Sequence, residues 1–280
     1  LDSIYTQDYT DFLITVSDDC SKDNTVKILN EYKEKHGKMR IVSSGEDLGA
    51  KGNFRWLINH ADADYIMFAD HDDKWLPDKI STTLAAMQAA ECAINGPVLV
   101  HTDLSVTDAD LNITEKSFVK SQGFDMSKNR LCDFLAQNTV TGCAMMINRE
   151  LLELAKNIPD DALMHDWWLA LTASAFGKAV FLDVPTILYR QHGNNQVGAV
   201  KSDYVKDRKQ TAKNRLYATY KQADAFYKAF GDKLSEKNRK AVKAYADCMN
   251  KNKFHKIATI IKYKTRKQGL VKFLAQIFYC

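Results

Sequence analysis

The chain has 280 residues, 45% of them hydrophobic and 26% charged, which is enough apolar mass for one large α/β domain with an appendage and excludes a disordered chain. No stretch reaches the roughly 18 apolar residues a membrane-spanning helix needs, and no secretory signal pattern opens the sequence. The formal charge of +4 hides two opposite parts: residues 1–200 carry 18 Lys/Arg against 29 Asp/Glu, and residues 201–280 carry 21 against 6.

The chain begins LDSIYTQDY without Met; the pattern reads as the interior of a helix and predicts a preceding segment. Phe12-Leu-Ile-Thr-Val16 is a short β-branched strand ended by Ser17-Asp-Asp-Cys-Ser21, and a helix follows with Val26, Ile28, Leu29 and Tyr32 apolar among lysines. Arg40 to Ser43 is a second strand, and Ala50 to His60 has Phe54, Leu57 and Ile58 at helical spacing. Tyr65 to Ala69 is a third strand. Leu76-Pro-Asp78 then opens a helix whose buried face is marked by Ile80, Thr83, Leu84 and Met87. Alternating strands and helices predict an α/β fold with a mostly parallel sheet flanked by helices.

In such sheets ligands lie beyond the carboxyl ends of the strands, where both Asp18/Asp19 and Asp70/Asp72/Asp73 fall. Three carboxylates within the four positions Asp70-His-Asp-Asp73 repel one another unless a cation or proton neutralises them. Hard oxygen donors without a thiolate or paired imidazole suit Mg²⁺ or Mn²⁺ rather than zinc. Turn chemistry is the competing reading for Ser17–Ser21, since Asp and Ser end strands without binding anything. The six cysteines form no C-x-x-C pair and no zinc-ligand spacing, which predicts a reduced, cytoplasmic setting. Cys143, in an apolar run, reads as a small core residue.

Val16-Ser-Asp-Asp-Cys-Ser-Lys-Asp-Asn-Thr25 resembles the V-D-D-x-S-x-D-x-T signature of family 2 glycosyltransferases, and Asp47-Leu-Gly-Ala-Lys-Gly-Asn53 resembles their N-x-G-x-x-x-N segment, with Asp47 where Asn is usual. Phe68-Ala-Asp-His-Asp-Asp73 is similar to their D-x-D-D, Thr141–Arg149 to the strand that begins the acceptor half, and His165-Asp-Trp-Trp168 to the E/H-D-W element. Tyr189–Asn195 resembles a late segment of bacterial rhamnosyltransferase-like members. The motifs stand in the family's order over roughly residues 1–200.

The resemblance implies a GT-A fold at residues 1–200, with a nucleotide-sugar half (1–104) and an acceptor half (105–200), followed by a basic helical C-terminal region (201–280). The family's usual first strand has no counterpart here, which again predicts a missing N-terminal piece. An inverting, metal-dependent transfer is implied, moving a sugar from a nucleoside-diphosphate donor (dTDP- or UDP-linked, rhamnose by likeness) to a hydroxyl of a glycan or lipid-linked acceptor in cell-surface polysaccharide synthesis. The Q-x-x-R-W motif of processive synthases is absent after His165, which favours single additions.

By the same resemblance Asp18, Asp19, Asp70 and Asp72 bind the nucleotide-sugar, with Lys51 near the diphosphate. Asp72, Asp73 and His192 hold the metal, and Asp166 is the base. Lys51 also reads as a solvated first-turn lysine, His192 as a surface histidine, and Asp166 as a helix N-cap worth roughly 1 kcal/mol. Trp167 and Trp168 are expected at the acceptor; adjacent helical positions point about 100° apart, so one packs in the core while the other meets the sugar.

Beyond residue 200, helices at 201–230 and 235–265 carry lysines around Tyr204, Leu216, Tyr220, Phe226 and Tyr227, and an apolar stretch from Gly269 follows the basic run Lys262–Lys267. A basic run beside an amphipathic apolar segment suits peripheral contact with the inner, anionic membrane face; the alternative is a helical pair closing over the transferase. No nucleic-acid recognition motif accompanies the charge. Two other classes fit the acidic cluster. A phosphotransferase using Asp70 as nucleophile would want Thr or Val where Lys74 stands, and a sugar-binding module would need no base.

Overall fold

The computed structural model of the chain describes residues 1–191 and 205–280. After a single helical turn, α1 (Asp2–Tyr5), two βα steps follow: β1 (Ile14–Ser17), α2 (Thr25–His36), β2 (Met39–Val42) and α3 (Gly49–His60). α2 ends on Gly37, whose φ of 69° is the left-handed conformation that closes a helix without a Cβ penalty. β3 (Tyr65–Met67) and the two-residue β4 (Lys74–Trp75) flank the acidic turn, and α4 (Lys79–Ala93) follows Pro77. The acceptor-side elements are β5 (Val98–Thr107), β6 (Ile113–Glu115), α5 (Phe118–Gln122), α6 (Leu131–Ala136), β7 (Met145–Asn148), α7 (Arg149–Ala155), α8 (His165–Phe176) and β8 (Lys178–Arg190). The C-terminal region is helical: α9 (Val205–Phe230), α10 (Glu236–Asp247), α11 (Lys253–Tyr263) and α12 (Leu270–Tyr279).

The α/β class follows from these elements, but strand direction differs from the expected mostly parallel sheet. β1 and β2 form their own two-stranded parallel layer. The main sheet has the order β3-β7-β5-β8-β4, with β6 added to β5. Within it only β5 and β8 run parallel; β3–β7, β5–β7, β4–β8 and β5–β6 are antiparallel. Apolar runs mark where strands are and carry no information about which way a neighbour runs, so the βα rhythm of the first 60 residues does not extend to the acceptor side.

This order positions the acidic turn. β3 and β4 lie at opposite edges of the main sheet, so residues 68–73 cross the ends of the strands between them. They pass over the segment that enters β7, where Cys143 sits, and the end of β8, where Tyr189 and Arg190 sit. Beneath the turn, Trp75, Ile80, Leu104, Cys143, Ala144 and Ile187 form a compact apolar cluster.

The largest core joins the acceptor side to the C-terminal helices. Phe134, Leu135, Trp168, Leu169, Leu216, Tyr220, Phe226, Val242 and Tyr245 are all buried within it. α9 and α10 therefore share the hydrophobic core of α6 and α8. Burying such side chains contributes roughly 1.5–3 kcal/mol each before entropy.

Candidate functional site

β1 ends at Ser17, and the next residues turn into α2. Asp18 Oδ2 accepts the Ser21 N–H at 3.2 Å, whereas Asp18 Oδ1 is buried without a hydrogen-bond partner. Asp19 Oδ1 accepts the Leu48 N–H at 2.9 Å, and Asn53 on α3 donates to the Ser17 carbonyl at 3.0 Å, fixing α3 against the end of β1. Both acidic segments face one cleft of about 2530 Å³, which Asp18, Asp19, Asp70, Asp72, Asp73 and Asp166 all line. The sequence expectation of a single crevice is met even though β1 and β3 belong to different sheets.

Among the described residues the ligand-capable atoms that converge are those of Asp70, Asp73 and Cys143, all within 4.8 Å of one another. Asp73 Oδ1 accepts the Arg190 N–H at 3.1 Å, and its Oδ2 is buried with no hydrogen-bond partner. Burial, and secondarily the neighbouring carboxylates, push Asp73 up to about 7; burial and then the charge of Asp72 raise Asp70. Two carboxyls held above their ordinary range, one with an orphaned oxygen, form a site that a cation would stabilise. Burial and the adjacent Asp73 and Asp70 charges raise the Cys143 thiol well above its ordinary value, so it stays protonated. The hard donors of this set are then the carboxylates, which fits Mg²⁺ or Mn²⁺ and not a thiolate-bound metal. His192 lies outside the described residues.

Asp166 sits in the first turn of α8. The N-cap of that helix is Met164, and no side chain caps it, so Asp166 is not the cap. Its Oδ1 accepts the Trp167 N–H at 2.6 Å. Burial pushes Asp166 up to about 7, against the opposing effect of hydrogen bonds from Trp167, Asn138 and Gly142, and the Asp70 charge adds to the rise. Asp166 and the acidic strand end thus face each other electrostatically. His165 is buried, stacks on Phe54 at 4.2 Å, and has both ring nitrogens without hydrogen-bond partners; burial pulls it down to about 3, so it is neutral. Gly142 makes this approach possible, because a Cβ there would come within 2.9 Å of His165 Nε2.

The two tryptophans separate as helical geometry requires. Trp167 is half-buried, lines the cleft and donates its indole N–H to the Phe134 carbonyl at 2.6 Å. Trp168 is only 1% exposed and packs edge-on to Phe226 at 5.3 Å. It is a core residue, which corrects its assignment to the acceptor: α9 covers that face of α8. The Lys51 ammonium is 2.6 Å from the Asp160 carbonyl, on the side where Arg55 pairs with Asp160, and Lys51 is not among the residues that line the cleft.

Two neighbours of the acidic turn escaped the sequence reading. Cys143 has its place in the core, yet its sulfur meets the carboxylates because the turn crosses the start of β7. Lys79 is fully buried, its Nζ has no hydrogen-bond partner and lies 4.8 Å above the Trp75 ring. Burial pulls Lys79 down to about 8, while the Asp73 carboxylate, when ionised, acts in the opposite sense. A cation six residues past the acidic cluster was the available signal, but a lysine in a first helical turn is ordinarily solvated.

Comparison with known proteins bears on this geometry. The family model described as Glycosyl transferase family 2 matches residues 1–154. The chain is 32% identical to a dTDP-rhamnosyl transferase, RfbG of Shigella flexneri, over 71% of its own length and 69% of the relative's. In structure it is similar to S. aureus TarS in complex with UDP-GlcNAc, with a TM-score of 0.52 at 14% identity over 94% of this chain and 84% of that one. It is likewise similar to the mannosyltransferase PcManGT of Pyrobaculum calidifontis in complex with GDP-Man and Mn²⁺, with a TM-score of 0.53 at 17% identity over 99% and 73%.

Proposed function

Because the chain belongs to glycosyl transferase family 2 and has the GT-A fold of its structural neighbours, we propose that it moves a sugar from a nucleoside-diphosphate donor to an acceptor hydroxyl with inversion, using Asp166 as general base. The observation that carries this reading is the half-buried Asp166 carboxyl, which lines the same cleft as the Asp70–Asp73 turn and feels the Asp70 charge. A base held near pH 7 suits proton abstraction from a hydroxyl at neutral pH. As the acceptor oxygen bonds to the anomeric carbon, Asp166 takes its proton. The bond from that carbon to the diphosphate oxygen breaks on the opposite face, and the electron pair leaves with the nucleotide.

Asp18 and Asp19 hold the base or ribose of the donor at the end of β1. Asp72, with Asp70 or Asp73, would hold Mg²⁺ or Mn²⁺; the ion supplies Lewis-acid stabilisation of the departing diphosphate, typically worth several kcal/mol. The orphaned Asp73 oxygen and the Mn²⁺ of PcManGT support a metal at this turn, where Asp70 and Asp73 converge and Asp72 stands outside the convergent set. Likeness to RfbG favours dTDP-rhamnose as donor. Trp167 is the aromatic wall on the acceptor side.

The acceptor is a glycan on a lipid carrier, met at the inner face of the membrane. Among the described residues no helix is long and apolar enough to cross a bilayer. α12 instead exposes Leu270, Val271, Leu274 and Phe278 after a basic run, the pattern of a surface-lying helix.

The test is a panel of nucleotide-sugars including dTDP-rhamnose, assayed for nucleoside diphosphate release with Mn²⁺, with Mg²⁺ and with chelator. Asp166→Asn should lower turnover roughly 10²–10⁴-fold while donor binding is retained. Turnover near wild type in that variant would remove Asp166 from the mechanism, and release of inorganic phosphate instead would favour the phosphotransferase reading.

A further inference from the structure

Beside the cleft, on the side of α9 and α12, lies a second cavity of about 310 Å³ lined by Asn138, Trp167, Leu216, Lys267, Lys272 and Tyr279, among others. Asn138, Trp167 and Lys267 line the main cleft as well, so the two spaces share a wall. That wall reaches the base, since Asn138 hydrogen-bonds Asp166. Arg215 on α9 lines the cleft next to Lys267.

Two of these cations, Lys267 and Lys272, are placed by buried structure, and Arg215 reaches them from the exposed face of α9. Lys267 belongs to the loop between α11 and α12, which is fastened from inside. Lys267 N–H donates to Gln276 Oε1 at 2.9 Å, Gln276 Nε2 to the Thr265 carbonyl at 3.0 Å, and Gln268 N–H to Gln137 Oε1 at 2.8 Å. Thr265, Gln268 and Gln276 are all buried. Lys272 is held by the Gln122 carbonyl at 3.0 Å and by the Phe124 ring at 4.8 Å.

Among the described residues no carboxylate answers these charges. On α9 and α10, Lys228, Lys240 and Lys243 each pair with an acid one helical turn away. Arg215, Lys267 and Lys272 form no ion pair with any described residue. Burial and then the Arg215 and Lys272 charges pull the Lys267 pKa down, so the three cations feel one another. The arrangement mirrors the acidic turn: like charges held together by the fold are stabilised by an ion of opposite sign. The space is roughly ten times a water's share of the liquid, and phosphate oxygens are the strong acceptors that Lys and Arg favour.

We propose that Arg215, Lys267 and Lys272 form an anion subsite beside the base that holds the phosphate or diphosphate group of the acceptor. The acceptor is then a phosphate-bearing carrier of the glycan and not a neutral oligosaccharide. This rests on the glycosyltransferase reading for the identity of the ligand, though not for the existence of the subsite.

The test titrates the full chain with inorganic pyrophosphate by calorimetry, in the presence of chelator, comparing wild type, Arg215→Met/Lys267→Met and Asp72→Asn. Wild type and Asp72→Asn should bind alike. The double variant should bind at least tenfold more weakly with an unchanged melting temperature, and Arg215→Lys/Lys267→Arg should restore most of the affinity. A double variant that binds like wild type, a wild type that does not bind, or a loss confined to Asp72→Asn would each overturn the subsite.

A second arm compares transfer to one sugar carried on a lipid diphosphate, on a water-soluble diphosphate and on a neutral alkyl chain. The double variant should raise KM at least tenfold for both diphosphate acceptors and leave KM for the neutral acceptor and the donor unchanged. An effect seen only with phosphatidylglycerol vesicles, with pyrophosphate binding intact, would assign the cations to lipid headgroups and overturn the proposal. Absence of any transfer by wild type would defeat the transferase reading, while the pyrophosphate titration still decides the subsite.

Discussion

The layer formed by β1 and β2 and the core formed by α6, α8, α9 and α10 are built to different standards. β1 and β2 pair over four residues each, their layer has no third strand among the described residues, and Leu13, Val26 and Ile28 remain exposed. By contrast β5 is buried along all ten residues, and Trp168, Phe226 and Tyr245 lie wholly inside one cluster. A two-stranded sheet is marginal by itself, whereas a multi-helix apolar core carries most of a domain's stability. The difference teaches that Asp18 and Asp19, assigned to the donor's base or ribose, stand on the less supported layer, and the base Asp166 stands on the firmest one. A loosely held donor side suits ligand-dependent ordering; a firmly held base suits proton transfer, which depends on geometry.

Trp168→Ala attacks the firm region directly and should cost about 3–5 kcal/mol in urea unfolding, the usual range for emptying a large aromatic site in a core. Ile14→Ala in β1, which is only half-buried, should cost much less. Equal losses would erase the contrast.

The second effect is on pH dependence. Asp73 and Asp166 have folded pKa values raised to about 7, so between about pH 4 and 7 the folded state binds more protons than the unfolded one. Stability is therefore full below the ordinary carboxyl range and falls as pH rises from about 4 to about 7 in the metal-free protein, levelling off above that. Asp166→Asn should flatten that slope, as melting curves between pH 4.5 and 8 would reveal. Added Mn²⁺ should oppose the loss at the high-pH end by holding Asp73 ionised.

Third, hydrogen exchange should be at least tenfold faster in β1 and β2 than in β5 and β8, and nucleotide-sugar should slow the former more. Uniform protection across the two sheets would contradict the comparison. The smallest effect is expected for Lys51→Ala. Its ammonium serves only the Asp160 carbonyl at the surface, so donor KM should change less than about threefold and stability by less than about 0.5 kcal/mol. A larger rise in KM would return Lys51 to the diphosphate.

Much of this was legible because it is local. Apolar pattern placed the strand before the acidic turn within two residues of its observed end. The crowding of Asp70, Asp72 and Asp73 announced a cation because three like charges in four positions are costly in any fold. The motif order over the first 200 residues carried the family. Trp167 and Trp168 show where legibility stops: the 100° step says that one must turn inward, but only the packing of α9 says which. Lys51 shows the same limit, since its position in a motif does not reveal that the Asp160 loop stands beside it.

The sequence by itself determined the chemistry that rests on residue type and spacing: an acidic strand end, a carboxylate opening an apolar helix, an acidic body and a basic tail. The tertiary structure decided which of these meet. Asp70 and Asp73 find Cys143 because the turn crosses from one edge of the sheet to the other, and Lys79 is left buried over the Trp75 ring by the same path. Lys267, Lys272 and Arg215 converge near the base because α9 and α12 fold back over α8, joining positions more than fifty residues apart. Charge and periodicity are properties of neighbours along the chain, whereas burial and charge pairing depend on neighbours in space.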